Sequence, residues 1–159
     1  MTDATFEEGR EVPLNLGAEG EEDLKVISAL VQDAVFPVTE MRWQASKRRF
    51  ALLINRFRWE DRAAAERRAR AYERVQSLLV VENVMRVASQ GFDRSDNELV
   101  LSLLSLSFEP AEDGAGHLVL TLAGDGAIRL SVEALEIHLR DVTRPYTAPS
   151  GKAPDHGDG

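Results

Sequence analysis

The chain has 159 residues, of which 43% are hydrophobic and 29% are charged, and its formal net charge is −8. This length and apolar content suit one compact domain and exclude a globally disordered chain. Cysteine is absent, which excludes disulfides, cysteine-based zinc sites and thiol nucleophiles. Apolar runs such as residues 78–81 are too short to cross a bilayer, and the acidic N-terminus lacks the apolar stretch of a secretory signal. We therefore expect a cytoplasmic protein without a membrane partner.

The basic residues are concentrated in the middle of the chain. Residues 42–86 contain 12 Lys+Arg and 5 Asp+Glu, a local charge of +7, whereas the rest of the chain carries −15. A charge distribution this polarised indicates a surface that meets something anionic. The acidic total argues against a general nucleic-acid coat protein, although a local basic face can still bind RNA or DNA.

The first predicted elements are a leader and a helix. Residues 1–20 are acidic and broken by glycine and proline, so we expect a flexible leader. Residues 21–32 carry three acids in the first turn, where the helix dipole favours them, and apolar residues at helical spacing. The apolar helix face consists of Leu24, Ile27, Leu30 and Val31.

The following segment has a period of two, which is typical of strands. We predict a hairpin of two strands, over residues 35–45 and 50–57, joined by a polar turn over residues 46–49. Pro37 predicts that the first strand begins at a sheet edge, because proline cannot donate a backbone hydrogen bond. The second strand is apolar on both faces, so we expect it to be covered on both sides. One of its faces consists of Phe50, Leu52 and Ile54.

The centre of the chain contains one ambiguous segment and two strands. Residues 62–71 are rich in Ala, Arg and Glu, and fit either a short helix or a solvated connection. Strands are predicted over residues 73–81 and 84–89. We expect Glu82 and Asn83 to join them as an antiparallel pair, since asparagine tolerates the positive φ of a tight turn.

The C-terminal part predicts three strands and a helix. A strand over residues 100–108 is followed by a hairpin of residues 118–122 and 127–132, which turns at Gly124-Asp125-Gly126. The inward residues of the first of these strands are predicted to be Leu104, Leu106 and Phe108. Residues 133–141 are predicted to form a closing helix. Its apolar face consists of Val132, Leu135, Leu139 and Val142. Residues 143–159 are rich in proline and glycine, which predicts a disordered tail.

These elements predict one domain over residues 21–142, of α+β class but mainly β. About seven antiparallel strands form a barrel or roll, flanked by an N-terminal helix and a C-terminal amphipathic helix. This element order is similar to that of the pleckstrin-homology-like barrel, an analogy that transfers no function.

No catalytic or metal-binding pattern is found in the sequence. His117, His138 and His156 fall in three different elements, and none has a partner at ligand spacing. Neither glycine cluster has the spacing of a phosphate-binding loop, and there is no nucleophile elbow. The acids in the segment GFDRSDNE lack the calcium-loop pattern and suit a polar loop. We therefore expect no cofactor, no metal and no enzymatic activity.

The arginines of the basic window are the candidate binding residues. Four come from the predicted hairpin and two follow it; the set consists of Arg48, Arg49, Arg56, Arg58, Arg67 and Arg68. Guanidinium groups that converge on one surface would dock an anion, either an acidic protein segment or RNA. Two alternatives stay open. The arginines can neutralise the acids of the protein itself, and Arg56 or Arg58 can pair with Glu60 or Asp61 while Trp59 caps the core.

The segment RRFALLINRFRWED (residues 48–61) resembles a family of small alphaproteobacterial proteins known as domain of unknown function 2948. The likeness extends through VMRVASQGFDR, LLSLSFEP and GAIRLSVEALEIHLRD, and covers roughly residues 23–142. The resemblance implies a cytoplasmic, stand-alone bacterial domain, and it implies no activity, cofactor or site.

We interpret the chain as a non-catalytic binding or scaffold domain that engages an acidic protein partner through the basic hairpin face. The alternatives are an RNA-binding domain, a small-ligand carrier or enzyme with a site at the barrel mouth, and a purely structural subunit. The sequence leaves the oligomeric state open.

Overall fold

The structure is a computed structural model that describes residues 13–147 and 153–154. Within these residues it contains two helices, α1 (Glu21–Leu30) and α2 (Arg62–Arg67), and eleven strands. The strands are β1 (Asn15–Ala18), β2 (Ala34–Pro37), β3 (Met41–Gln44), β4 (Arg49–Phe57), β5 (Glu73–Val81), β6 (Val84–Gln90), β7 (Val100–Pro110), β8 (Gly116–Leu122), β9 (Ala127–Val132), β10 (Ile137–Asp141) and β11 (Tyr146–Thr147).

All strands belong to one antiparallel sheet. The order is β1-β10-β5-β4-β2-β7-β8-β9-β6, with β3 pairing along β4 and β11 along β5. The terminal strands β1 and β6 are not hydrogen-bonded to each other, so the sheet is not a closed barrel. The chain is therefore mainly β, as predicted, but it has more strands than the seven expected.

A large apolar core lies on the inner face of this sheet. Leu118, Leu120 and Leu122 of β8 are buried in it, as the alternation predicted, and the turn at Gly124-Asp125-Gly126 joins β8 to β9. Helix α1 covers part of the core with the predicted face, of which Leu24, Ile27 and Val31 are buried. The ambiguous segment over residues 62–71 begins with the short helix α2.

The predicted C-terminal helix is wrong. Residues 137–141 form β10, which lies between β1 and β5 in the sheet. The apolar positions of this stretch fit both periods, because Leu135 and Leu139 are four residues apart while Ile137 and Leu139 alternate. Pairing with β5 favours the strand, since residues 77–81 of β5 are paired with β4 on one edge and would otherwise lack a partner on the other.

Two predictions about strand pairing are also wrong. Asn83 turns the chain with a φ of 60°, but β6 does not return along β5; it pairs with β9. Pro37 ends β2 rather than beginning an edge strand, and β2 lies between β4 and β7. Both errors concern partners that are distant in sequence, which local patterns do not specify.

The inward face of β7 differs from the prediction because of a bulge between Leu103 and Ser105. A bulge adds one residue to a strand and therefore reverses the alternation beyond it. Leu106 is buried and Phe108 packs against the core, as predicted, whereas Leu103 takes the inward position expected for Leu104.

The ends of the described chain are part of the sheet. Strand β1 lies within the predicted leader and pairs with β10, and β11 lies within the predicted tail and pairs with β5. Residues 1–12 of the predicted leader, and residues 148–152 and 155–159 of the predicted tail, lie outside the described part of the chain.

Candidate functional site: the outer face of the sheet

The four arginines of the predicted hairpin do not converge on one surface. Arg49 begins β4 and Arg56 lies seven residues further along it, which corresponds to about 23 Å of extended strand. The side chains of Arg56 and Arg58 are buried, with 0% and 6% exposure. Arg56 shares the parity of Phe50, Leu52 and Ile54, so alternation along the strand already placed it on the inner face.

Arg56 is the centre of a buried ion-pair network. It donates two hydrogen bonds to the Glu60 carboxylate, of 2.9 and 2.8 Å, and three to the Asp141 carboxylate, of 3.0, 3.2 and 3.3 Å. Its Nε also donates to the Ser77 hydroxyl at 3.0 Å. Burial lowers the pKa of Arg56, but hydrogen bonds and charge attraction from Glu60 and Asp141 outweigh burial and raise the net pKa. The pairing of Arg56 with Glu60 confirms the architectural alternative.

Arg58 belongs to a neighbouring network of ion pairs. It contacts Glu73 and lies 3.6 Å from the buried Asp61, which also accepts two hydrogen bonds from Arg70. The neighbouring Trp59 donates its indole N–H to the Gln32 carbonyl at 2.9 Å. This end of β4 is therefore structural rather than a docking face.

The remaining predicted arginines are more accessible. Arg48 adopts a left-handed conformation with φ of 53° and forms an ion pair with Glu133. The Nε of Arg49 donates to both carboxylate oxygens of Glu82 at 3.1 Å. Arg67 and Arg68 are exposed at the end of α2. Of the six predicted residues, Arg49 lines an open surface groove on the outer face of the sheet.

This groove has a volume of about 490 Å³ and crosses strands β3, β4, β5, β10 and β1. We call it the basic-rimmed groove. Its floor consists of the half-buried residues Ala51, Leu78 and Val80. Its rim consists of Asn15, Gln44, Arg49, Glu82, His138 and Arg140. The outward face of the sheet thus exposes a strip of apolar side chains between polar and basic ones.

Strand register explains this arrangement. Ala51 lies opposite Val80, and Val80 lies opposite His138, so the three side chains form one row across the outer face. On the other side of Ala51 the same row continues to Arg42 of β3. The next row on this face has Arg140 opposite Leu78. Two apolar strands are therefore flanked by basic residues on β3 and on β10.

Two arginines, Arg140 on the rim and Arg42 beside it on β3, carry positive charge that no carboxylate of the described residues neutralises. Within the described residues, Arg140 is exposed and has no carboxylate partner. Arg42 donates only to backbone carbonyl oxygens, one of them that of Thr39. By contrast, the charge of Arg49 is balanced by Glu82, and His138 Nε2 lies 3.0 Å from Glu136. In the described part of the chain, the two arginines without a carboxylate partner, Arg42 and Arg140, therefore lie on opposite sides of the apolar floor.

Sequence reasoning missed His138 and Arg140 because it assigned their segment to a helix. A signal was present, since both alternate with the apolar residues Ile137 and Leu139. Read as a strand, the segment IHLRD places both basic residues on one outward face, and these two residues are indeed exposed.

Other candidate sites have a simpler structural explanation. Asp93 accepts hydrogen bonds from the Ser95 hydroxyl and backbone, and Asp96 accepts one from Glu98 N–H, as in a polar loop. Across residues 13–147, no group of three or more His, Asp or Glu side chains is placed to hold a metal ion. Neither described helix has the length and apolar character that a membrane span requires.

Fold and site together define a small, mainly β domain whose outer sheet face carries a basic-rimmed groove. A family model described as protein of unknown function (DUF2948) matches residues 14–156. The chain belongs to this family, which confirms the resemblance seen in the sequence. No curated protein and no solved structure matches the chain.

Proposed function

We propose that this protein is a non-catalytic, protein-binding domain that docks an acidic amphipathic helix of a partner protein in the basic-rimmed groove. The observation that carries the proposal is the placement of Arg42 and Arg140, neither of which has a carboxylate partner in the described residues, on the two sides of the apolar floor: Arg140 lines the groove, and Arg42 lies beside it in the same row as Ala51. An amphipathic helix offers the complementary pattern, an apolar stripe with acids on its flanks.

The hydrogen bonding of the sheet favours a helix over an extended peptide. Beneath the groove, β5 is paired on both edges, with β4 and β10, and β4 is paired with β3 and β5. Their backbone groups are therefore not available for strand addition, and a ligand must bind through side chains. The four strands from β3 to β10 span about 14 Å, which accommodates a helix of roughly 10–12 Å diameter.

The size of the floor predicts a weak contact. From Arg49 to Leu53 the strand extends about 13 Å, which corresponds to roughly nine residues of helix. A patch of about 14 by 13 Å is far smaller than the roughly 800 Å² that each partner buries in a stable interface. We therefore expect transient binding with marked salt dependence, steered by the basic rim.

A protein ligand fits this surface better than RNA does. Recognition of single-stranded RNA uses aromatic side chains on which bases stack. The groove floor is aliphatic. Of the aromatic residues in the basic window, Phe57 packs edge to face on Trp59 and Tyr72, and Trp43 lies outside the groove.

The proposal is tested with a labelled synthetic 14-residue peptide that has leucines on one helical face and glutamates on its flanks. Fluorescence anisotropy measures its binding to the wild-type protein and to R42E/R140E. The matched control is R67E/R86E, which reverses two exposed arginines outside the groove. We expect about a tenfold loss of affinity for the groove variant, from two reversed surface charge contacts, and less than about a threefold loss for the control.

Two results would contradict the proposal. Equal losses of affinity in both variants would show that only the total charge of the protein matters. Equal affinity for a peptide with lysines in place of the glutamates would show that charge complementarity does not contribute to binding. A single-stranded RNA of the same length that binds more tightly and depends on the same arginines would identify RNA as the ligand instead.

A further inference from the structure

Another cavity lies between β3 and β6, where the sheet does not close. It has a volume of about 410 Å³. Strand β6 is hydrogen-bonded to the β3–β4 turn at its first residue, where Val84 N–H donates to the Arg48 carbonyl at 2.9 Å. Beyond this point β3 follows β4 and β6 follows β9, so the two strands separate and leave a cleft.

The cleft reaches the hydrophobic core. We call it the β3–β6 cleft. Met41 and Trp43 line one wall, Val87 lines the other, and the core residues Phe50 and Ile128 lie at its base. Trp43 is 38% exposed, which is high for so large an aromatic residue. A cavity lined in this way binds the aliphatic part of a ligand, because binding removes apolar surface from water on both sides.

One cation lies at the mouth of the cleft. Arg94 lines it from the β6–β7 loop, is exposed, and has no carboxylate partner within the described residues. The adjacent Asp93 is already bound to Ser95, from which it accepts the hydroxyl hydrogen bond at 2.6 Å and the backbone one at 2.9 Å. Ser89, also at the cleft, supplies a hydroxyl donor.

We propose that the β3–β6 cleft binds a small amphiphilic carboxylate, with its aliphatic chain against Trp43 and Val87 and its carboxylate at Arg94. The cleft volume lies within the range of roughly 300–1,000 Å³ of small-molecule sites. Apolar walls with a single cation at the entrance select a molecule with one anionic end and an apolar body. This site is separate from the basic-rimmed groove, so either proposal can fail while the other stands.

The protein contains an internal probe for this site. Trp43 and Trp59 are its two tryptophans, and Trp59 lies at the far end of β4. In a Trp59→Phe background the tryptophan emission therefore reports on the cleft alone. Decanoate, used below its micelle concentration, is expected to shift the Trp43 emission to shorter wavelength with saturation, because the chain displaces water from the indole. Each added methylene is expected to tighten binding by at most about fourfold until the cleft is filled.

The charge contact is tested with Arg94→Ala and the matched control Arg86→Ala, whose side chain lies on β6 outside the cleft. Arg94→Ala is expected to weaken decanoate binding about fivefold and to leave decanol binding unchanged, whereas Arg86→Ala changes neither. Amide chemical shifts of Val87 and Ser89 on decanoate addition give an independent readout.

Three outcomes would overturn this proposal. The first is a Trp43 emission that does not respond to decanoate while the Val87 and Ser89 amides also stay unchanged. The second is equal weakening by the two arginine variants. The third is a decanol affinity in the wild type that equals the decanoate affinity, which would leave Arg94 without a role.

Discussion

Replacing Arg56 by methionine removes the cation that organises the buried end of β4. In the native protein its guanidinium joins Glu60, Asp141 and Ser77, which come from three different segments of the chain. Methionine has a similar length and fills most of the space, so the cavity term is small. The effect of the substitution is therefore mainly electrostatic.

The magnitude depends on which carboxylate loses its partner. Glu60 has a side chain that is 30% exposed and can be hydrated, whereas that of Asp141 is 5% exposed. Without Arg56, Asp141 keeps only neutral donors, the Ser77 hydroxyl at 2.6 Å and the Leu14 N–H at 3.0 Å. Removing one partner of a buried ion pair typically costs about 3–5 kcal/mol. This is a large part of the roughly 5–15 kcal/mol that stabilises a domain.

Urea denaturation of R56M, D141N and the double variant measures this effect. With a denaturant slope of about 2 kcal/mol per M, R56M is expected to lower the midpoint by about 2 M. The double variant is expected to be less destabilised than the sum of the single ones, by about 1–3 kcal/mol, because the two residues share one interaction. The control R67M changes an exposed arginine and is expected to stay within about 0.5 kcal/mol of the wild type. A loss below about 1 kcal/mol for R56M, or additive single effects, would refute the reasoning.

Three further predictions concern local structure. Ala69, two residues beyond the end of α2, has a φ of 52°, which costs less for glycine. Ala69→Gly is therefore expected to raise the free energy of unfolding by about 0.5–1 kcal/mol in urea denaturation, and no gain would contradict this prediction. Gly91 has a φ of 81° and its backbone leaves no room for a Cβ, which would lie 2.7 Å from the Asp125 carbonyl oxygen. Gly91→Ala is therefore expected to cost about 2–3 kcal/mol, and an unchanged thermal midpoint would disprove the clash. Hydrogen bonds from the Ser95 hydroxyl, and secondarily from the Ser95 N–H, lower the pKa of Asp93 below its ordinary value of 3.8. The contribution of these hydrogen bonds to the stability of the fold is therefore present above pH 3.8 and is lost as the pH falls through the lower folded-state pKa. Carboxyl NMR titration is expected to show a higher Asp93 pKa in Ser95→Ala, and an identical value would exclude the hydroxyl as the main cause.

Local sequence patterns predicted the elements whose character depends on near neighbours. Helix α1 follows from acids in its first turn and apolar residues at helical spacing, and β8 and β9 follow from strict alternation around a glycine-rich turn. The burial of Arg56 was also contained in the sequence, because it has the parity of the inward residues of β4. The prediction of one basic surface did not take the alternation of β4 into account.

The candidate groove could not be derived in the same way. It requires β10 to be a strand and to lie beside β5, which brings Arg140 opposite Leu78 although the two are far apart in sequence. The cleft likewise exists because β6 pairs with β9 rather than with β5. Such pairings are set by the total burial and hydrogen bonding of the assembled sheet, to which distant segments contribute as much as adjacent ones.

The sequence by itself therefore determined a mainly β domain, its N-terminal helix and the inward residues of most strands, because side-chain alternation acts over a few neighbouring residues. Only the tertiary structure decided which strands are neighbours, which arginines are paired with carboxylates inside, and which lie on the outer face without a carboxylate partner in the described residues. The physical reason is that the burial and pairing of an arginine depend on the groups that surround its guanidinium. In this sheet those groups come from segments that meet only when the chain folds.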